Sequence, residues 1–340
     1  MDKHRWQQIQ SIFRHLVDKN PSHRRDYLDM VCEENNELRR EIEALLESHD
    51  QLEQGNQDIV TPVLQAAKEL QRPQTVGEYQ ILEELGRGGM GVVYLAEHPQ
   101  YGKVALKLLP RFTVAAEDAQ RRFMLEAKVL TSLDHPALCH LFESFNTEEY
   151  AAIAMEFIDG NGLDEYLNHG PLPFSQGLNI ILNLSDVLAQ AHAQGLAHRD
   201  IKSNNVLLDQ HEQIKLIDFG IAKFADTKLT ATGQILGTPS YMSPEQWHGR
   251  GVDYRTDLWS LGILMFELFT TNKPFNALDR FAVAKKVLTE EPPPLPTTSC
   301  DGYKLAPVQT IVDQLLVKDQ HKRLQSCTEL SMQIRALIQT

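Results

Sequence analysis

Asp200, Lys202 and Asn205 are polar residues set in the stretch His198-Arg199-Asp200-Ile201-Lys202-Ser203-Asn204-Asn205-Val206-Leu207-Leu208, and Asp218-Phe219-Gly220 follows downstream. A carboxylate such as Asp200 can accept the proton of an attacking hydroxyl, and an ammonium two residues on can face an anion in transfer. Asn205 and Asp218 carry oxygen donors, the kind a hard divalent cation such as Mg2+ prefers. A proton acceptor, a fixed cation and two metal-fit oxygens together suit the movement of a phosphoryl group onto a hydroxyl. Taken alone, His198-Arg199-Asp200 reads as a charged turn, and only its surroundings give it chemical meaning.

Such groups must be held by regular elements. Val206-Leu207-Leu208 has the β-branched and aliphatic character of a short strand. Upstream, Tyr79-Gln80-Ile81-Leu82 reads as a strand leading into Gly86-Arg87-Gly88-Gly89-Met90-Gly91-Val92-Val93-Tyr94. A lone G-x-G-x-x-G is a weak signal, and its dinucleotide-binding form should open a helix. Here Val92, Val93 and Tyr94 follow, which favours a strand-turn-strand lid whose glycines let the backbone approach phosphates. Val104-Ala105-Leu106-Lys107 and Ala151-Ala152-Ile153-Ala154-Met155 are further strands. Glu126 lies in a helical stretch with Phe123, Val129 and Leu130 and by itself is an ordinary solvated helix charge.

In order and spacing, these motifs resemble the eukaryotic-like protein kinases, in their bacterial serine/threonine form, over residues 77–338. The resemblance implies a bilobal α+β fold, with a small five-stranded N-lobe carrying one helix and a larger helical C-lobe. It implies Asp200, Lys202, Lys107 and Glu126 as catalytic groups, Glu126 being the partner of Lys107, and Asn205 and Asp218 as Mg2+ ligands. ATP would be held by Leu85, Gly86, Arg87, Gly88, Gly89, Met90, Gly91, Val93, Ala105, Lys107 and Leu207, and by the backbone of Glu156 and Ile158. Met155 takes the gatekeeper position, although a strand methionine is as readily a filler of core space. Ser243-Pro244-Glu245 stands where the family usually has A-P-E, with Glu245 expected to pair with Arg323, and Asp257 is expected to tie the loop to a central helix. Lys202 with Gly237-Thr238-Pro239 favours serine and threonine substrates. Thr230 and Thr232 match activation-loop threonines that relatives phosphorylate, against the plainer reading of polar loop residues.

Composition bounds the rest. At 340 residues and 42% hydrophobic the chain can bury a large core, and a net charge of −13 argues against a nucleic-acid partner. Cys32, Cys139, Cys300 and Cys327 form no C-x-x-C pair, so neither a disulfide framework nor a zinc site is expected, and a cytoplasmic setting fits. No signal peptide or membrane anchor is read, and the apolar run Leu258 to Phe269 is too short to span a bilayer and reads as a buried helix. Trp6, Ile9, Phe13, Leu16 and Val17, then Tyr27, Leu28, Val31 and Cys32, then Leu38, Ile42, Leu45 and Leu46 recur at helical spacing, with Asn35 or Asn36 as an N-cap. The expected organisation is a small all-α module over 1–50, a linker over 51–76 with a short helix from Thr61-Pro62, and the kinase domain over 77–338, its lobes at 77–156 and 160–338. ATP, protein serine and threonine hydroxyls and a second kinase domain are the expected partners. The alternatives are a pseudokinase, which the intact Lys107, Glu126, Asp200, Asn205 and Asp218 oppose, and an adaptor scaffold working through the N-terminal helices.

Overall fold

A computed structural model describes residues 73–88, 91–110, 133–219, 238–249, 251–277 and 279–339, together with Leu16, Arg24, Tyr27, Leu28, Val31, Cys32, Asn35, Leu38, Arg39, Ile42, Ala127, Leu130 and Thr131. The chain divides into two compact units, Met1–Pro73 and Gln74–Thr340.

In the first unit Leu16, Leu28, Cys32, Leu38 and Ile42 form one buried cluster, with Tyr27 and Val31 packed on it. Asn35 Oδ1 accepts a hydrogen bond from Leu38 N at 3.1 Å, the contact by which an N-cap residue satisfies an otherwise unpaired helix donor. Trp6, Ile9, Phe13, Val17, Leu45 and Leu46, and the short helix expected after Thr61, lie outside the described residues.

The second unit opens one strand earlier than the sequence suggests. Thr75–Val76 (β1), assigned to the linker, pairs with Tyr79–Gly88 (β2) through Thr75 opposite Gln80 and Val76 opposite Tyr79. Gly77 makes this tight reversal by taking φ 60, a left-handed value at which a side chain would be strained. The N-lobe sheet therefore has six strands and not five. Its order is β1-β2-β3-β4-β6-β5, where β3 is Gly91–His98, β4 Gly102–Pro110, β5 Leu141–Asn146 and β6 Tyr150–Glu156.

Strand alternation divides β4 between two faces. Val104, Leu106 and Leu108 join Tyr79, Tyr94, Ala152 and Ala154 in one buried cluster. Lys107 therefore points to the opposite face, shared with Ala105 and Leu109, and is flanked across the sheet by Val93 and Ile153.

The C-lobe is helical. Gly160–Gly162 (β7) leads into Leu163–Leu167 (α1) and Phe174–Ala193 (α2), and it forms a small sheet with Val206–Asp209 (β8) and Ile214–Leu216 (β9), in the order β7-β8-β9. Then come Pro244–His248 (α3), Arg255–Thr270 (α4), Arg280–Thr289 (α5), Ala306–Leu315 (α6) and Cys327–Ile338 (α7). Every residue from Thr256 to Phe269 is buried, so α4 is the central helix around which the lobe packs. No helix among the described residues is long and apolar enough to cross a membrane.

Candidate active site

The loop after α2 is fixed from below by one carboxylate. Asp257, in the first turn of α4 and fully buried, accepts hydrogen bonds from His198 N at 2.8 Å, Arg199 N at 2.6 Å and His192 Nε2 at 2.8 Å. The first turn of a helix is where a buried acid is best tolerated, because unpaired N–H groups and the dipole both favour negative charge. These contacts hold Arg199 at φ 61, a conformation a non-glycine residue keeps only when its surroundings over-determine it. His198 is itself fully buried, and its Nδ1 accepts from Asp200 N at 3.2 Å. Burial holds its pKa below the usual histidine value, in keeping with a neutral ring that can accept that bond.

Above this anchor the predicted polar groups converge. Lys202 Nζ lies 3.3 Å from Asp200 Oδ2 and 3.5 Å from Thr238 Oγ1. Asn205 Nδ2 donates to Asp200 O at 2.8 Å and reaches Asp200 Oδ2 at 3.3 Å. β8 and β9 then bring Asp218 alongside, since Val206 is opposite Leu216 and Ile217 N donates to Asn205 O at 2.9 Å. Asp218 itself adopts φ 60, and its Oδ1 accepts a charge-assisted hydrogen bond from Lys107 Nζ.

Lys107 and Asp218 are the charged groups on a cavity walled by Leu138, Leu141, Ile153, Met155, Leu216 and Phe219. Leu130 and Cys139 complete it, and burial pushes the Cys139 thiol up to about 12. Met155 is one of the residues lining this cavity. Leu85, Gly86, Arg87, Val93, Ala105, Ile158 and Leu207 stand outside that lining, on β2, β3, β4, the segment after β6, and β8. Gly91 is demanded by the sheet itself, because a Cβ there would sit 2.2 Å from Leu108 O. At Glu156, Oε2 accepts from Lys215 Nζ at 2.9 Å and from His140 N at 3.1 Å, so the side chain is tied to β9 and the β5 approach. Glu126, Gly89, Met90, Thr230 and Thr232 lie outside the described residues, and for Gly88 only the backbone is described.

Sequence reasoning missed Leu130, Leu138, Cys139, Leu141, Leu216 and Phe219 as cavity walls. Apart from Phe219, which stands in the Asp218-Phe219-Gly220 motif, each is an apolar residue whose local signal is burial, which does not distinguish a core position from a cavity lining.

The segment that ends at Glu245 is moored firmly. Ser243 caps α3 with Gln246 in a reciprocal capping box, and Pro244 takes the first helical position. Glu245 and Arg323 form a two-pronged pair at 2.8 and 2.9 Å, both buried.

Residues 79–333 match the protein kinase domain family. Serine/threonine-protein kinase pkn2 of Myxococcus xanthus is 36% identical over 264 residues, covering 75% of this chain and 32% of that protein. Serine/threonine-protein kinase PrkC of Bacillus subtilis is 36% identical over 263 residues, covering 76% and 40%. The chain thus corresponds to about a third of the length of the first of these relatives and two fifths of the second. Among solved structures, the PknI kinase domain of Mycobacterium tuberculosis is similar with a TM-score of 0.61 at 29% identity, over 77% of this chain and 96% of that one.

Proposed function

The chain belongs to the protein kinase domain family, and from that premise we propose that it transfers the γ-phosphate of ATP to serine and threonine hydroxyls of proteins, including threonines of its own activation segment. The observation that carries this reading is Lys202, which stands between the Asp200 carboxylate at 3.3 Å and the Thr238 hydroxyl at 3.5 Å. That arrangement sets a proton acceptor and a fixed cation beside the end of the activation segment, where a protein hydroxyl would arrive. Asp200 orients the hydroxyl and takes its proton, and Lys202 stays beside the group in transfer. Lys107 faces the phosphates from the sheet side. A cytoplasmic setting goes with this reading because ATP is a cytoplasmic substrate.

The donor set fits Mg2+. The Asn205 amide nitrogen is engaged by Asp200, which leaves its Oδ1, and Lys107 occupies Asp218 Oδ1, which leaves Oδ2. An amide oxygen and a carboxylate oxygen are what a hard cation selects. When bound, Mg2+ would supply positive charge against the phosphate oxygens.

The test is Lys107→Met. It should lower autophosphorylation by about 10²-fold or more, the scale of losing one preorganised charge contact, while far-UV circular dichroism stays unchanged. Undiminished transfer would remove Lys107 from the site.

Regulation follows from the same reading. Phosphates on Thr230 and Thr232 would each bring about −1.5 to −2 charge to the activation segment, with Arg199 and Lys223 as the candidate cations to receive them. Incubation with Mg-ATP after phosphatase treatment should raise wild-type activity by about 5- to 150-fold, the span of a coupling of ~1–3 kcal/mol. The Thr230→Ala/Thr232→Ala protein should stay at its basal rate. Equal activation of both proteins would refute the assignment.

A further inference from the structure

Glu267 lies near the C-terminal end of α4 and is 4% exposed. Both facts work against a carboxylate there, since the helix dipole disfavours negative charge at that end and burial removes its water. The side chain is nevertheless engaged on both oxygens. Oε1 pairs with Lys273 Nζ at 2.8 Å, and Oε2 accepts a hydrogen bond from Tyr241 Oη. Ser203 completes the group: its N reaches Tyr241 Oη at 3.2 Å, and its Oγ lies 3.0 Å from Tyr241 Oη and 3.5 Å from Glu267 Oε1. Burial beside Glu267 raises the Tyr241 phenol above its usual pKa, which keeps it a donor.

Lys273 reaches this acid by a local device. The chain leaves α4 through Thr271 at φ 60, with Thr271 N bonded to Glu267 O at 2.7 Å. That reversal returns Lys273 over the Tyr241 ring, 5.4 Å from its centroid.

The two groups that Glu267 holds have telling neighbours. Ser203 follows Lys202 in sequence, and Tyr241 closes the turn entered at Thr238. Lys202 and Thr238 are themselves in contact, with Asp200 on the other side of the lysine. We infer that Lys273 is a positioning residue for phosphoryl transfer: it supplies the cation that lets buried Glu267 clamp Ser203 to Tyr241, and the clamp holds Lys202 against Thr238 and Asp200. The inference rests on the reading of Asp200 and Lys202 as the transfer site. Among the described residues, Lys273 pairs with Glu267, overlies the Tyr241 ring and is not part of the cavity lining, so it acts through this clamp.

The experiment uses the full chain with Lys273→Met, and with Lys273→Arg as the charge-preserving control. For Lys273→Met, kcat for protein phosphorylation should fall roughly 10- to 100-fold, the penalty of a small misplacement at the reacting groups. KM for ATP should stay within about twofold, because the nucleotide side is untouched, and Lys273→Arg should recover most of the rate. Hydrogen exchange should quicken in the segments around Lys202–Val206 and Pro239–Met242 and not in β2, β3 and β4. An unchanged kcat, or unchanged exchange in those two segments, overturns the inference. So does quickened exchange throughout the second unit, which would mark a general stabilising role. If the wild type transfers no phosphate, the reading of Asp200 falls, while the exchange measurement still decides whether Lys273 holds the clamp.

Discussion

Replacing Asp200 by asparagine should lower phosphate transfer by about 10²- to 10⁴-fold, the contribution of a positioned proton acceptor, while nucleotide affinity stays within about twofold. Asparagine keeps the size of the side chain and loses its charge and basicity. The loop should survive, because the contacts that set it involve other atoms. Asp257 holds the His198 and Arg199 amides, His198 Nδ1 holds the Asp200 amide, and Asn205 holds the Asp200 carbonyl at 2.8 Å. Nucleotide binding should survive because the cavity is lined by Lys107, Asp218 and apolar residues, without Asp200. Isothermal titration with Mg-ATP, alongside radiolabel transfer to a protein substrate, separates the two quantities. Weakened binding with normal turnover would contradict the role given to Asp200.

Replacing Arg323 by methionine should destabilise the second unit by about 3–5 kcal/mol, the consequence of leaving a buried carboxylate without its partner. Arg323 is 2% exposed and Glu245 6% exposed. The guanidinium makes both bonds to Glu245 and also donates to Arg255 O at 2.8 Å and Val317 O at 3.0 Å, with its carbon 5.2 Å from the Trp259 ring centroid. Methionine can fill the space beside Trp259 but satisfies none of these acceptors. Removing the acid as well should recover part of the loss, so Glu245→Leu/Arg323→Met should be more stable than the sum of the single changes implies. Urea denaturation of the four proteins tests this. A single-variant loss under about 1 kcal/mol would show that solvent screens the pair, as it does an exposed one. Activity should fall too, because α3 also reaches the loop through Gln246 Nε2, 3.4 Å from Arg199 O.

Whatever depends on near neighbours along the chain was legible before any folding was considered. Asp200, Lys202 and Asn205 share one loop, so their spacing already limits where each can stand, and the strand Val206–Asp209 that follows them is set by local apolar character. The mostly apolar run from Leu258 to Phe269 likewise announced a buried helix. Glu245 with Arg323 and Asp257 with the loop were legible only because the motif order resembled a known family, since nothing local links residues so far apart.

The remaining features exist only once distant segments meet. Thr75 and Val76 carry no signal strong enough to make a strand, and they become one because Gly77 turns the chain back and β2 offers an open edge. Cys139 and Leu141 look like core residues until the sheet face bearing Lys107 meets the approach to Asp218. Glu267 lies inside the run Leu258 to Phe269 and Lys273 beyond its end, and nothing local marks them as partners. They become a buried clamp on Tyr241 and Ser203 because a carboxylate removed from water must take whatever donors the fold brings to it, and those donors come from three separate segments.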